Sequence, residues 1–311
     1  MAVSIGTTIN ETHYTTLRSG INTVMGTPAG SGNSSTGYNE SIDAPSVSVG
    51  TKVLASQWNS LRGDIRKASA HQTNSAVALT TVDTDTGITA AIHNEFETAL
   101  ATVTSNRFTM ATAQSTLSTA RTKNLTSGWN GVQRHDVQLT WANANAFKAF
   151  WNAGGTIKIA SSLAYSGSEA KTLDWKSLVN DAKNVSVNYT SAYADGGGAQ
   201  GTVTDTGMYD LNTNGTEVKI FQDGGTNPYS ENDYQIFIRY ITNGIRIRVV
   251  FRDDDSGDEP ISPVPPGGTA GGVDENVKGT LTSVIYYRRA TGSNVEVTAP
   301  SVATGSTNTF T

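Results

Sequence analysis

The sequence predicts an α+β protein: a small amino-terminal helical domain, then a mainly antiparallel, β-sandwich-like domain carrying two short helices. Three observations lead there. Apolar residues recur at helical spacing through the first hundred positions. Beyond about residue 120 they alternate at period two in most segments. Charged residues make up 16% of the chain, against about 25% in an average soluble protein. Many Thr, Ser and Asn and 31 glycines replace the usual Lys/Glu surface, a composition common in β-rich extracellular or particle-bound proteins.

Taken in order, the first helix is expected behind an Asn10 cap, with Tyr14, Leu17, Ile21 and Val24 as one apolar stripe. The second follows Ser56 as cap, with Trp58, Leu61, Ile65 and Ala68. These two are a weak internal repeat: His13-Tyr14-Thr15-Thr16-Leu17-Arg18 resembles Gln57-Trp58-Asn59-Ser60-Leu61-Arg62 at an offset of 44, from 58 − 14. A third stripe, Ile88, Ile92, Phe96, Ala99, Leu100 and Val103, follows Asp85-Thr86-Gly87. Three such helices bury their stripes against one another, which gives a helical domain over residues 1–120. Between the first two lies a Gly/Ser/Asn/Pro-rich loop, residues 26–50, longer than helix connections usually are. It reads either as an arm that orders against a neighbouring subunit or as a surface loop.

The β-rich domain is expected over 121–292. Val132, Arg134, Asp136, Gln138 and Thr140 alternate with Gln133, His135, Val137, Leu139 and Trp141 as a strand with one mostly polar face. A short helix over 142–152 stops at Gly154-Gly155, and a strand follows over 156–161. A second helix is expected over 169–182, then strands at 184–190, 217–222, 234–242, 244–252 and 280–289. Asn243-Gly244 reads as the two-residue turn of a hairpin. Residues 253–276 interrupt the sheet with an acidic, then Pro/Gly-rich, excursion. Residues 293–311 read as an edge strand with Val295, Val297 and Val302, followed by an extended tail.

Composition narrows the function. With no cysteine there is no disulfide, thiol nucleophile or Cys-containing zinc site. A formal net charge of −5 cannot supply the phosphate-neutralising term of nucleic-acid binding. No apolar run of ~18 residues exists to enter a membrane, and no signal-peptide pattern opens the chain, so synthesis in a cytosol is expected. His13, His71, His93 and His135 show no paired ligand spacing. His93-Asn94-Glu95 copies the H-x-E of nucleobase deaminases without the cysteines that site needs. Gly196-Gly197-Gly198-Ala199-Gln200-Gly201 fits G-x-G-x-x-G literally, but a β-type segment follows where a phosphate site requires a helix. No catalytic residue and no cofactor is assigned.

Two clusters stand out. Asp253, Asp255, Asp258 and Glu259, with Asp254, supply the oxygen ligands that a hard cation such as Ca²⁺ prefers. Their spacing lacks the EF-hand alternation, and the other reading is a solvated charged loop. Arg239, Arg246, Arg248, Arg252, Arg288 and Arg289 concentrate on the predicted sheet and would share a face with Tyr286 or Tyr287 if their strands are neighbours. Arg and Tyr are enriched at protein–protein interfaces. Arg239, Arg246, Arg248, Arg252, Tyr286, Tyr287 and Arg288 are therefore interface candidates, against a solvated face paired with the acidic loop.

Three segments carry a family resemblance. Trp141 to Ser161, with Ala-Phe-Lys-Ala-Phe-Trp-Asn-Ala-Gly-Gly-Thr-Ile-Lys-Ile, resembles a stretch of virion structural proteins of tailed phages, cyanophages especially. So do Asn-Gly-Ile-Arg-Ile-Arg-Val-Val-Phe-Arg-Asp-Asp-Asp with the later Gly-Thr-Leu-Thr-Ser-Val-Ile-Tyr-Tyr-Arg-Arg, and the Gln57–Arg62 helix. The resemblance spans about two-thirds of the chain, in pieces. It implies a non-enzymatic subunit of the tail, baseplate or neck, assembled in the host cytoplasm into the virion. Homo-oligomer contacts and other virion structural proteins would be its partners, with no nucleic acid and no membrane insertion, and a host-surface glycan as a further candidate. The alternatives are a receptor- or glycan-binding tail-fibre component and a tail-associated polysaccharide hydrolase.

Overall fold

The computed structural model describes residues 4, 8–85, 87–195, 201–211, 215–255, 275–303 and 310. The chain divides into two compact units. Unit one comprises Met1–Leu117, Trp141–Gly155 and Arg288–Ala299; unit two comprises Ser118–Thr140, Thr156–Tyr287 and Pro300–Thr311. The units are thus discontinuous, where the sequence suggested contiguous blocks at 1–120, 121–292 and 293–311.

Unit one is built on α1 (Glu11–Met25), α2 (Ala55–Thr73) and α3 (Ala90–Ser105). Asn10 starts α1 as expected: its Oδ1 accepts the N–H groups of Thr12 and His13 at 3.2 and 3.4 Å. Ser56 does not cap α2; it lies inside the helix, and the Leu54 N–H is met instead by Gln57 Oε1 at 2.7 Å. Ile88 lies before α3, which Thr89 caps through the N–H of Ile92. The repeated aromatics meet edge to face, Tyr14 with Trp58 at 5.3 Å and Trp58 with Phe96 at 5.9 Å between ring centroids. Each is at most 2% exposed, and burying such a side chain is worth about 1.5–3 kcal/mol.

The 26–50 loop is not an arm waiting for a neighbour. It is fastened inside unit one. Tyr38 is 1% exposed and its N–H bonds to Val24 O at 3.0 Å. The buried Asp64 carboxylate accepts the N–H groups of Asp43 and Ala44, both at 2.9 Å. Tyr14 Oη donates to Pro45 O at 2.8 Å. Polar loop backbone is tolerated here because buried side chains satisfy it.

The last fastener is α4 (Ala144–Asn152), which Asn143 caps. Asn152 is fully buried; its Nδ2 donates to Thr36 O and Gly37 O at 2.7 and 3.0 Å, and its Oδ1 accepts from Ser35 Oγ at 2.8 Å. The helix closes as a Schellman motif, with Gly154 N–H to Trp151 O at 3.1 Å and Gly155 N–H to Phe150 O at 2.8 Å. Gly154 holds φ +81°, and a Cβ at Gly155 would lie 2.4 Å from Phe150 O. Both glycines are required for different reasons, left-handed backbone and close approach.

Unit two holds most of two antiparallel sheets and the helix α5 (Ala170–Asp181). The strands in chain order are β1 (Ser115–Leu125), β2 (Gly131–Thr140), β3 (Thr156–Ala164), β4 (Asn184–Val187), β5 (Ala192–Asp195) and β6 (Thr202–Val203). Then come β7 (Val218–Gly224), β8 (Asp233–Ile241), β9 (Gly244–Asp253), β10 (Thr280–Ala290) and β11 (Ser301–Val302). One sheet runs β1-β10-β3-β4-β5; the other runs β11-β2-β9-β8-β7-β6. The α+β class with a sandwich-like part is therefore what the chain forms. Ile245, Ile247, Val249 and Phe251 of β9, with Tyr234, Ile236 and Ile238 of β8, are fully buried. From the other sheet, Ile157, Ile159, Leu281 and Ile285 are fully buried as well. Tyr234 Oη donates to Ser161 Oγ at 3.0 Å, a polar tie between the sheets.

Three details depart from the sequence reading. The β8–β9 turn is Thr242-Asn243, one residue earlier than expected, with Asn243 at φ +52°. Gly244 already pairs with Ile241, and its missing Cβ spares a 2.3 Å clash with Leu139 O. Strand β4 stops at Val187 because Asn188 Oδ1 captures the Thr190 and Ser191 N–H groups in a local turn. The carboxyl-terminal segment gives an edge strand of two residues, β11, but Val295 and Val297 are buried in unit one. Phe310, expected in an extended tail, lies 6.1 Å from each of the His135 and Phe251 rings.

Candidate functional site

The arginine candidates separate. Arg239, Arg246, Arg248 and Arg252 share the outer face of β8 and β9, but β10, which carries Tyr286, Tyr287 and Arg288, belongs to the other sheet between β1 and β3. The expected common Arg/Tyr face does not form, because the strands are not neighbours. On the β8–β9 face, Arg239 sits directly opposite Arg246, a like-charge pairing that needs counter-charge. Asp136 of β2 supplies it, holding Arg246 Nη2 at 3.0 Å and Arg248 Nε at 3.1 Å. Glu217 holds Arg248 Nη1 at 2.8 Å. Arg246 and Arg248 keep 22% and 27% side-chain exposure, so this is a half-covered ion-pair lattice tied within the sheet. Among the described residues, Arg252 is the candidate that pairs with the acidic loop, through Asp254 at 3.3 Å.

The acidic cluster also has an internal cation. Lys171 of α5, 1% exposed, places Nζ 3.1 Å from Asp253 Oδ2 and 3.4 Å from Asp255 Oδ2. Trp175 Nε1 donates to Asp253 Oδ1 at 3.5 Å, and Asn232 Oδ1 accepts the Asp255 N–H at 3.3 Å. The ammonium occupies the place the sequence reading gave to Ca²⁺ at Asp253 and Asp255. Nothing in the sequence near 253 marks Lys171, which is brought there by α5. Asp258, Glu259 and residues 196–200 of the Gly-rich run lie outside the described residues.

Three histidines are packing groups. His71 is fully buried, its Nε2 3.0 Å from Ala153 O; a carbonyl only accepts, so Nε2 carries a proton and donates. Burial pushes its pKa down to about 4, and the bond to Ala153 offsets part of that. His135, also fully buried, sits 2.9 Å from Ser283 Oγ through Nδ1. Burial again dominates and, with Arg121, lowers its pKa to about 4. His93 lies edge-on to His13 at 5.1 Å, and burial lowers its pKa too.

Sequence reading missed one acidic cleft. Asp174, Asp181 and Asp223 line a cavity of about 190 Å³ with Ser177 and Thr226. Thr226 N–H donates to Asp174 at 3.0 Å. Desolvation, and then the Asp181 and Asp174 charges, raise the Asp223 pKa. Asp174 and Asp181 lie two turns apart on one face of α5, but Asp223 comes from β7, so no local pattern announces the cluster. Among the described residues no group of three or more His, Asp or Glu is placed to hold a metal ion, and no helix is long and apolar enough to cross a membrane.

The sheet edges are unequal. β11 and β6 have two residues each and β5 has four, whereas β1 runs eleven, Ser115–Leu125. Short edge strands are a standard guard against unwanted pairing; β1 lacks that guard. Leu117 of β1, at 41%, is among the exposed large apolar side chains.

Comparison of the chain with protein-family models, curated proteins and solved structures finds no match.

Proposed function

We propose that the chain is a non-enzymatic structural subunit of a tailed-phage particle, of the tail, baseplate or neck, that self-associates and docks onto neighbouring particle proteins. The observation that carries this reading is the job done by the residues with the phage resemblance. Phe150-Trp151-Asn152-Ala153-Gly154-Gly155 fastens a loop, closes a helix and receives His71. The Ile245-Arg246-Ile247-Arg248 run forms a sheet core on one face and an ion-pair lattice on the other. These are tasks of shape, and a lineage held together by shape suits a particle component. The eleven-residue edge of β1 supports the assembly part. Peptide quantification of purified particles tests it: the chain should appear in fixed ratio to the major tail proteins. Recovery only in the soluble fraction of the lysate overturns the reading. A particle signal confined to fibre tips with glycan binding favours the tail-fibre alternative, and turnover of an envelope polysaccharide favours the hydrolase.

A further inference from the structure

We infer that β1 is the seam through which two copies of this chain join, antiparallel and edge to edge, making one sheet of ten strands from two of five. The inference deepens the assembly reading above and rests on it. Of the four sheet edges among the described residues, three are two to four residues long and β1 alone is eleven. It contains no proline, and Thr116, Leu117, Thr119, Thr122 and Asn124 along it are exposed. Such an edge presents a row of backbone donors and acceptors that another strand can satisfy.

The sequence of β1 selects a second copy and fixes its register. A two-fold axis normal to the sheet keeps each residue on its own face, so opposed residues must share parity and the axis must pass beside a single residue. The midpoint of Ser115–Leu125 is Ala120, and centring there pairs the whole strand. Ala120 then meets its own copy, Ser118 meets Thr122, Thr119 meets Arg121, and Leu117 meets Lys123. Small and hydroxyl side chains lie opposite one another, and exposed Leu117 covers the aliphatic stem of a lysine. Centring one residue later would set Arg121 against Arg121, a like-charge pair that cross-strand packing disfavours. The charges therefore disfavour that register, and centring on Ala120 is the one that pairs the strand along its full length.

The chain has no cysteine, so a single introduced thiol reports on one site. In the proposed register the two Cα atoms at position 120 lie about 4.5–5.5 Å apart, within the span of a disulfide. The two at position 122 lie about 14 Å apart, four residues along the strand. Full-length Ala120→Cys and Thr122→Cys chains are oxidised side by side, and their association is followed by light scattering. The expected result is a covalent dimer from Ala120→Cys, formed at least roughly tenfold faster than from Thr122→Cys. Equal rates in a chain that still associates overturn the seam and leave the assembly reading standing. A chain that stays monomeric at every concentration, with neither variant cross-linking, overturns both.

Discussion

Replacing Asn152 with Ala tests the packing argument where it is sharpest. The variant deletes three hydrogen bonds from a fully buried side chain. The groups it abandons are not equal. Thr36 O keeps the N–H of Ala29 at 3.0 Å, whereas Gly37 O and Ser35 Oγ lose the partner that Asn152 provides. Three bonds at a net 0.5–1.5 kcal/mol each, with two buried groups left unmet, give a loss of about 3 kcal/mol. That is a large share of a typical stability of about 5–15 kcal/mol. Native-state hydrogen exchange is the suitable assay, because it reads unit one by itself. Protection of the Tyr38 amide, bonded to Val24 O, should fall by roughly a hundredfold, since about 1.4 kcal/mol is tenfold. Asn152→Asp should cost at least as much, because it retains the acceptor for Ser35 but turns a carboxylate on two carbonyls. A loss under about 1 kcal/mol in Asn152→Ala would refute the reasoning.

His71 and His135 have pKa values lowered from 6.5 to about 4, so the unfolded chain takes up protons first. Their contribution to stability is complete above pH ~6.5 and is lost as pH falls toward 4, about 2 kcal/mol each at pH 5, which urea titrations at pH 7 and 5 will measure. Lys171→Met leaves Asp253 and Asp255 buried without their cation and should destabilise unit two by about 3–5 kcal/mol in chemical denaturation; adding Asp253→Asn and Asp255→Asn should restore most of it. Asp136→Asn acts on a half-exposed lattice, so its cost should stay near 1 kcal/mol and shrink with added salt. Gly154→Ala meets both a φ of +81° and Met110 Cβ at 2.7 Å; thermal unfolding should show a clearly lower midpoint than for the same change at Gly63 inside α2, where nothing lies within 4 Å of an added Cβ.

Much of this architecture was legible because local chemistry and tertiary need agreed. The stripes of Tyr14, Leu17 and Ile21 and of Trp58, Leu61 and Ile65 became the buried faces of α1 and α2. The alternation of Ile245, Ile247 and Val249 with arginines became β9. What stayed hidden was decided at long range. β1 reads Ser-Thr-Leu-Ser-Thr-Ala-Arg-Thr-Lys-Asn-Leu, too polar to announce a strand, and it is one because β10 lies beside it. Whether Tyr286 shares a face with Arg246 depends on strand order, which no local pattern encodes. Lys171 and Asp253 are 82 positions apart, from 253 − 171, and only the packing of α5 makes them a pair. The 26–50 loop looked loose because its anchors, Asp64, Arg107 and Asn152, lie outside it.

The most direct measurement is a density map of the phage particle to which this chain is proposed to belong, detailed enough to follow individual strands. The account predicts copies in a repeating ring or collar with β1 covered by a neighbouring subunit along its length. Particles lacking the chain, or copies whose every edge faces solvent, would contradict it.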